Sequence, residues 1–139
     1  MASMDDAVAR YRAASEANDI DALMNTLAAD VELVSPLAGG AVFKGAQDMR
    51  ILLGAVYSAL RDFHWDEEIG TGELRVLIGA GRVGGCRIGD AMALELDADG
   101  LIRRIRPHLR PWLGLTAFAV VVGPRLAAHP GVLIRATRG

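Results

Sequence analysis

Residues 62–106 read DFHWDEEIGTGELRVLIGAGRVGGCRIGDAMALELDADGLIRRIR, and this stretch decides the fold. Turn-forming clusters at Gly70-Thr71-Gly72, Gly84-Gly85 and Asp97-Ala98-Asp99-Gly100 cut it into four runs with the period-two alternation of extended chain. Connections this short join antiparallel neighbours, so the runs predict a meander of consecutive hairpins. A two-residue turn at Gly84-Gly85 sets Leu77 opposite Met92. A four-residue loop at Asp97–Gly100 then sets Met92 opposite Ile105, and a three-residue loop at Gly70 adds Trp65 to the same row. The neighbouring row on that face reads Phe63, Gly79, Asp90 and Pro107, while Val76, Ile78, Ala91, Ala93, Arg104 and Arg106 occupy the other face. A bulge in any strand moves these rows.

Upstream of Arg61 the periodicity is helical. Ile20, Leu23, Met24, Leu27 and Ala28 follow i, i+3, i+4, i+7, i+8, with Asn18 placed as N-cap and Asp19 and Asp21 in the first turn. Met49, Leu52, Leu53, Val56 and Leu60 repeat the pattern after Gly45, and the segment around Val8 and Tyr11 makes a weaker first helix. Two short runs, Val31–Val34 and Ala41–Lys44, flank the turn Pro36–Gly40 and predict a small hairpin. After Arg110 the stripe Trp112, Leu115, Phe118, Ala119 and Val122 predicts one C-terminal helix closing at Gly123-Pro124. Three helices, a curved antiparallel sheet and a final helix make an α+β chain, with residues 1–110 as the body and 111–139 as a helical extension of the same domain. Both sheet faces carry apolar side chains, so the helices cover one and a second copy of the chain is expected on the other.

The 139 residues suit one domain, and 52% hydrophobic against 23% charged residues supports a sizeable core. A net charge of −2 with mixed signs leaves no basic footprint for nucleic acid. Cys86 is the sole cysteine, so no internal disulfide forms, no Cys/His cluster suggests zinc, and a reduced cytoplasmic setting is expected. Early acids and the lack of an apolar run near the N-terminus read against a secretory signal. The stretch from Trp112 to Val122 is well short of the roughly 20 residues of a membrane span. No membrane partner is expected, and no cofactor motif is present.

The run ARY at Ala9–Tyr11, NDIDAL at Asn18–Leu23, DVELVSP at Asp30–Pro36, FKG at Phe43–Gly45 and LDADG ending at Gly100 together resemble the SnoaL-like and ketosteroid isomerase-like branch of the nuclear transport factor 2-like superfamily. The resemblance covers roughly residues 4–110 and implies a cone-shaped fold, helices and inner sheet face enclosing a ligand cavity. It also implies cofactor-independent isomerase, cyclase or dehydratase (lyase) chemistry. Isomerases of this kind use a carboxylate base with an oxyanion hole of a tyrosine and a protonated aspartate. Tyr11 matches the tyrosine, but the base position falls on Ser35 and the protonated acid on Met92. A serine hydroxyl is too weakly basic to take a proton from carbon unaided, so steroid isomerisation by that route is disfavoured. Tyr11 also reads as an ordinary core residue, and Ser35 as the start of a Ser-Pro turn.

Among the residues themselves, Asp90 carries the most information. Its row places it on an apolar face beside Phe63, Trp65, Leu77, Met92, Ile105 and Pro107, where desolvation would raise its pKa towards neutrality. Gly79 and Gly81 point inward and leave room on that face. The competing reading makes Gly89-Asp90 a bulge with the acid in water. Glu67, Arg75 and Arg103 fall in one row with Leu94 and read as an ion-pair cluster. Arg104, Arg106, His108 and Arg110 alternate on the outer face, where Glu95 or a partner subunit can pair with them. His64 points outward without a spaced partner for a metal or a triad.

Three functions are open on this reading. Asp90 with Tyr11 can act as an acid–base pair on a small hydrophobic molecule, with Ser35 and the apolar row forming its pocket. The chain can instead be a non-catalytic module that binds such a molecule, or a homodimerisation module.

Overall fold

The computed structural model describes residues 6–138, which form five helices and seven strands. Helix α1 (Ala7–Glu16) starts where the Asp6 carboxylate accepts the Ala9 N–H at 2.8 Å, and α2 (Ile20–Met24) where Asp19 accepts that of Ala22 at 3.2 Å. The N-cap of α2 is thus Asp19 and not Asn18, which takes the left-handed turn before it at φ 52°. Strands β1 (Leu27–Val34) and β2 (Val42–Lys44) form the expected hairpin, and α3 (Ala46–Ala59) follows. The meander is β3 (Arg61–Ile69), β4 (Leu74–Val83), β5 (Cys86–Leu96) and β6 (Ile102–Arg106), succeeded by β7 (Leu109–Arg110), α4 (Trp112–Ala127) and α5 (Pro130–Thr137).

One curved, unclosed sheet runs β2-β1-β6-β5-β4-β3, with β7 paired to β5. The hairpin is therefore part of the main sheet, attached by a parallel β1–β6 pairing that joins residues more than seventy positions apart. Turn signals report only neighbours in sequence, so this pairing lay beyond them.

The central register holds: Leu77 pairs with Met92 and Gly79 with Asp90. Irregularities in β3 and β5 alter the outer columns. Trp65 stands opposite Gly79 and not Leu77, and Ile105 opposite Leu94 and not Met92. Trp65 and Ile105 are each displaced by two residues, so both stay on their predicted face. The last row changes as well, because β7 brings Leu109, and not Pro107, opposite Asp90. The inward glycines leave no void. A Cβ on Gly79 would run into the His64 carbonyl and the Trp65 ring, and one on Gly81 into Phe63. The two aromatic rings, edge to face at 4.8 Å, fill the space that the glycines free.

The β3 irregularity also turns Glu67 out to solvent; Arg75 pairs instead with Glu68 and Asp6, while Arg103, Arg104 and Arg106 share Glu95. His64 is exposed and pairs with Asp66.

The C-terminal region holds two helices, not one. Helix α4 passes through Pro124 to Ala127 because the buried stripe continues from Phe118 and Val122 to Leu126. It sits close on β5, where a Cβ on Gly114 would strike the Arg87 carbonyl. Helix α5 begins with Pro130 in its first turn, where the missing N–H costs nothing, and buries Val132 and Ala136. Arg135 then clasps the buried Asp48 of α3 through two hydrogen bonds of 2.8 and 2.7 Å. These bonds hold the Asp48 carboxyl below its usual range. Among the described residues, no single helix is long and apolar enough to cross a membrane.

Candidate functional site

The inner sheet face, α3, α4 and the turn after β1 enclose a cavity of about 80 Å³. The sheet supplies Phe63, Asp90, Met92, Pro107 and Leu109; α3 supplies Leu53 and Tyr57; α4 supplies Phe118, Val122 and Leu126; the turn supplies Ser35, Pro36 and Leu37. Among the described residues on its wall only Ser35, Tyr57 and Asp90 have polar side chains, and none is a cation.

Asp90 is 7% exposed. Its Oδ1 accepts the His108 backbone N–H at 3.2 Å, a contact that favours the carboxylate. Loss of hydration outweighs it and pushes the pKa up to about 7, so this acid gains or loses a proton near neutrality.

Across the cavity the Tyr57 hydroxyl lies 2.7 Å from that of Tyr11, their rings edge to face at 6.2 Å. Both are buried, and desolvation, with the charge on Asp90 adding to it, raises both phenols well above their ordinary value. They remain protonated donors. Neither hydroxyl has another hydrogen-bond partner among the described residues, so either can donate to the other and the bond satisfies one of the two buried O–H groups. When Tyr11 is the donor, the Tyr57 proton is free to point into the cavity, strengthened by the bond behind it.

Of the residues that the sequence nominates, Asp90, Ser35, Phe63, Met92 and Pro107 line the cavity. Tyr11 stands one side chain behind the wall, and Trp65, Leu77 and Ile105 lie in the core away from it. The Trp65 indole N–H donates to Ser15 Oγ at 2.9 Å, and Leu77 and Ile105 are fully buried. Ser35 Oγ accepts the N–H groups of Leu37 and Ala38, both at 3.1 Å, and so holds its own turn. Sequence reasoning missed Tyr57 and Leu109. A signal for Tyr57 was present: it follows Leu53 by four positions on the stripe of α3 and is one of only two tyrosines in the chain. No group of three or more metal-ligating side chains occurs among the described residues.

No family model matches the chain, and no curated protein does. Solved structures do. An uncharacterised bacterial protein with a cystatin-like fold from Silicibacter pomeroyi DSS-3 superposes with a TM-score of 0.86 at 21% identity, over 94% of this chain and 93% of its own. A steroid delta-isomerase from Pseudomonas aeruginosa gives 0.81 at 26% identity, over 90% and 92%. A putative SnoaL-like polyketide cyclase from Shewanella denitrificans OS-217 gives 0.64 at 14% identity, over 85% and 95%. With its helices on a curved open sheet, the chain has the nuclear transport factor 2-like (cystatin-like) fold, the fold it shares with the steroid delta-isomerase and the putative SnoaL-like cyclase.

Proposed function

We propose that the chain binds a small, uncharged, largely apolar molecule in this cavity and acts on it by proton transfer at Asp90. The observation that carries the reading is a buried carboxyl with no cation beside it on an otherwise apolar wall. An anionic ligand would meet only that acid, so the substrate is neutral. Above pH 7 the Asp90 carboxylate serves as the base for a C–H next to a carbonyl, and the Tyr57 hydroxyl, backed by Tyr11, donates to the carbonyl oxygen as charge develops there. Likeness to a steroid isomerase and to cyclases supports isomerase, cyclase or dehydratase chemistry without choosing among them. Activity on neutral ketones of graded size, followed by deuterium exchange at the carbon next to the carbonyl, should rise with an apparent pKa near 7. Loss of exchange in Asp90→Asn and Tyr57→Phe is expected; exchange that persists in Asp90→Asn refutes the assignment.

A second reading rests on Ser35. It stands where the isomerases resembled here carry their carboxylate base, and its oxygen is engaged in the turn. A cavity with one carboxyl group instead of two also suits a non-catalytic binder. Native mass spectrometry showing a neutral ligand that co-purifies, with no exchange activity, would favour that reading.

A further inference from the structure

The cavity at Asp90 is small for a substrate. At about 80 Å³ it falls well short of the roughly 150 Å³ that accommodates benzene in a protein core, so it takes only the reacting end of a larger molecule. Three of its wall residues, Tyr57, Leu60 and Phe63, also line a second pocket of about 310 Å³, which therefore adjoins it. Tyr57 is buried, whereas Leu60 and Phe63 are half-buried, and these two side chains separate the spaces on their solvent side.

The second pocket is as polar as the first is apolar. Besides the shared residues it is lined by Ser15, Glu16 and Asn18, where α1 gives way to α2, and by Ser58, Arg61 and Asp62, where α3 gives way to β3. Among the described residues, Asn18 and Asp62 are the only non-glycine residues at positive φ, 52° and 54°, and both stand in this one pocket. Left-handed backbone is uphill for any residue with a Cβ, and strain of this kind gathers at ligand sites. The polar groups are also unspent. The Ser15 and Ser58 hydroxyls are taken, by the Trp65 indole and Arg125, but the side chains of Asn18, Arg61 and Asp62 make no hydrogen bond or ion pair among the described residues. Glu16 uses only Oε2, which accepts the Trp65 backbone N–H at 2.7 Å.

Free acceptors on Glu16 and Asp62 thus share the pocket with free donors on Arg61 and Asn18. An anion would meet two carboxylates. An ammonium only donates and would leave Arg61 unmet. A hydroxyl both donates and accepts, so a group bearing several of them uses the whole set.

We propose that the substrate is a two-part uncharged molecule, its apolar carbonyl-bearing end in the cavity at Asp90 and a polyhydroxylated, sugar-like portion in the outer pocket, joined past Leu60 and Phe63. This rests on the reading of the cavity given above and adds the substrate class which that reading leaves open. Tyr57, on the wall of both spaces, then stands where the two parts of the molecule meet.

NMR titration of the full chain with pentan-2-one, and with the same ketone carrying a glucosyl group at the far end of its chain, tests this. The glucosyl ketone should bind about tenfold more tightly, the worth of two or three hydrogen bonds. Asn18→Gly and Asp62→Gly remove the side chains and leave a residue that adopts positive φ freely, so both variants should fold. Each should weaken the glucosyl ketone about threefold to fivefold and leave pentan-2-one unchanged. Deuterium exchange that persists in Asp90→Asn, with the tighter binding of the glucosyl ketone intact, removes the acid–base chemistry and leaves the two-part ligand standing. Equal affinity for the two ketones overturns the proposal. So does no binding of the glucosyl ketone, or a gain in affinity that survives Asn18→Gly combined with Asp62→Gly.

Discussion

Replacing Asp90 by asparagine should make this protein more stable, and more so as pH rises. In the folded state the carboxyl titrates at about 7, against 3.8 for an exposed aspartate, because burial penalises its charged form. Below about pH 4 both folded and unfolded chains hold the proton, and Asp90 costs nothing. Between about 4 and 7 the unfolded chain releases the proton while the folded one keeps it, so stability falls as pH rises; above about 7 the loss is complete. At about 1.4 kcal/mol per pH unit, a shift of roughly three units amounts to about 4 kcal/mol at most. Asparagine has nearly the same shape, and its carbonyl can accept the His108 N–H. The variant should therefore gain little at pH 4 and up to about 4 kcal/mol at pH 8, several degrees or more in Tm for a chain of this size. Thermal unfolding of both proteins at pH 4, 6 and 8 measures the difference. A gain that does not grow with pH, or a variant less stable than the parent at pH 8, would show that water or an unrecognised cation solvates the carboxyl, and the acid–base reading would lose its basis.

Other outcomes follow from particular contacts. Tyr57→Phe leaves the buried Tyr11 hydroxyl without an acceptor, so it should cost about 1–3 kcal/mol in urea unfolding, and it should lower turnover of a ketone substrate about 100-fold. Truncation after Arg110 removes the burial of Phe118, Val122, Leu126 and Val132 at about 2 kcal/mol each, a sum comparable with the whole stability of a domain. Insoluble or unfolded protein is expected, and an unchanged Tm would make the segment dispensable. The half-buried outer sheet face with Val76, Ile78, Ala91 and Ala93 is proposed as a homodimer contact. Ile78→Arg should then shift sedimentation towards monomer, and a native protein that is monomeric at micromolar concentration would refute it. Arg135→Ala removes both hydrogen bonds to Asp48 and should lower Tm at pH 7. Because Asp48 is held below its usual pKa, that difference should shrink as the pH falls through it.

Much of the site was legible because sheet geometry is periodic. Gly84-Gly85 placed Gly79 beside Asp90, and no later irregularity lies between them. The alternation that put Asp90 on the apolar face survived because the β4–β5 pairing has no irregularity, and the register shifts lie in the pairings on either side of it. Local chemistry likewise determined the start of α2 to within one residue and the turn at Ser35, since caps and turns of this kind are made by side chains that reach their own neighbours.

What remained hidden depends on contacts between residues far apart in sequence. No pattern in β1 announces its parallel partner β6, and nothing in α3 or α1 says that the Tyr57 and Tyr11 hydroxyls meet, forty-six positions apart. The inward glycines looked like empty space on paper and turned out to seat Phe63 and Trp65. Helix α4 was legible as an apolar stripe, but its service as one wall of the cavity was not. Periodicity says which side of an element avoids water, and only the closed chain decides what each such side is pressed against.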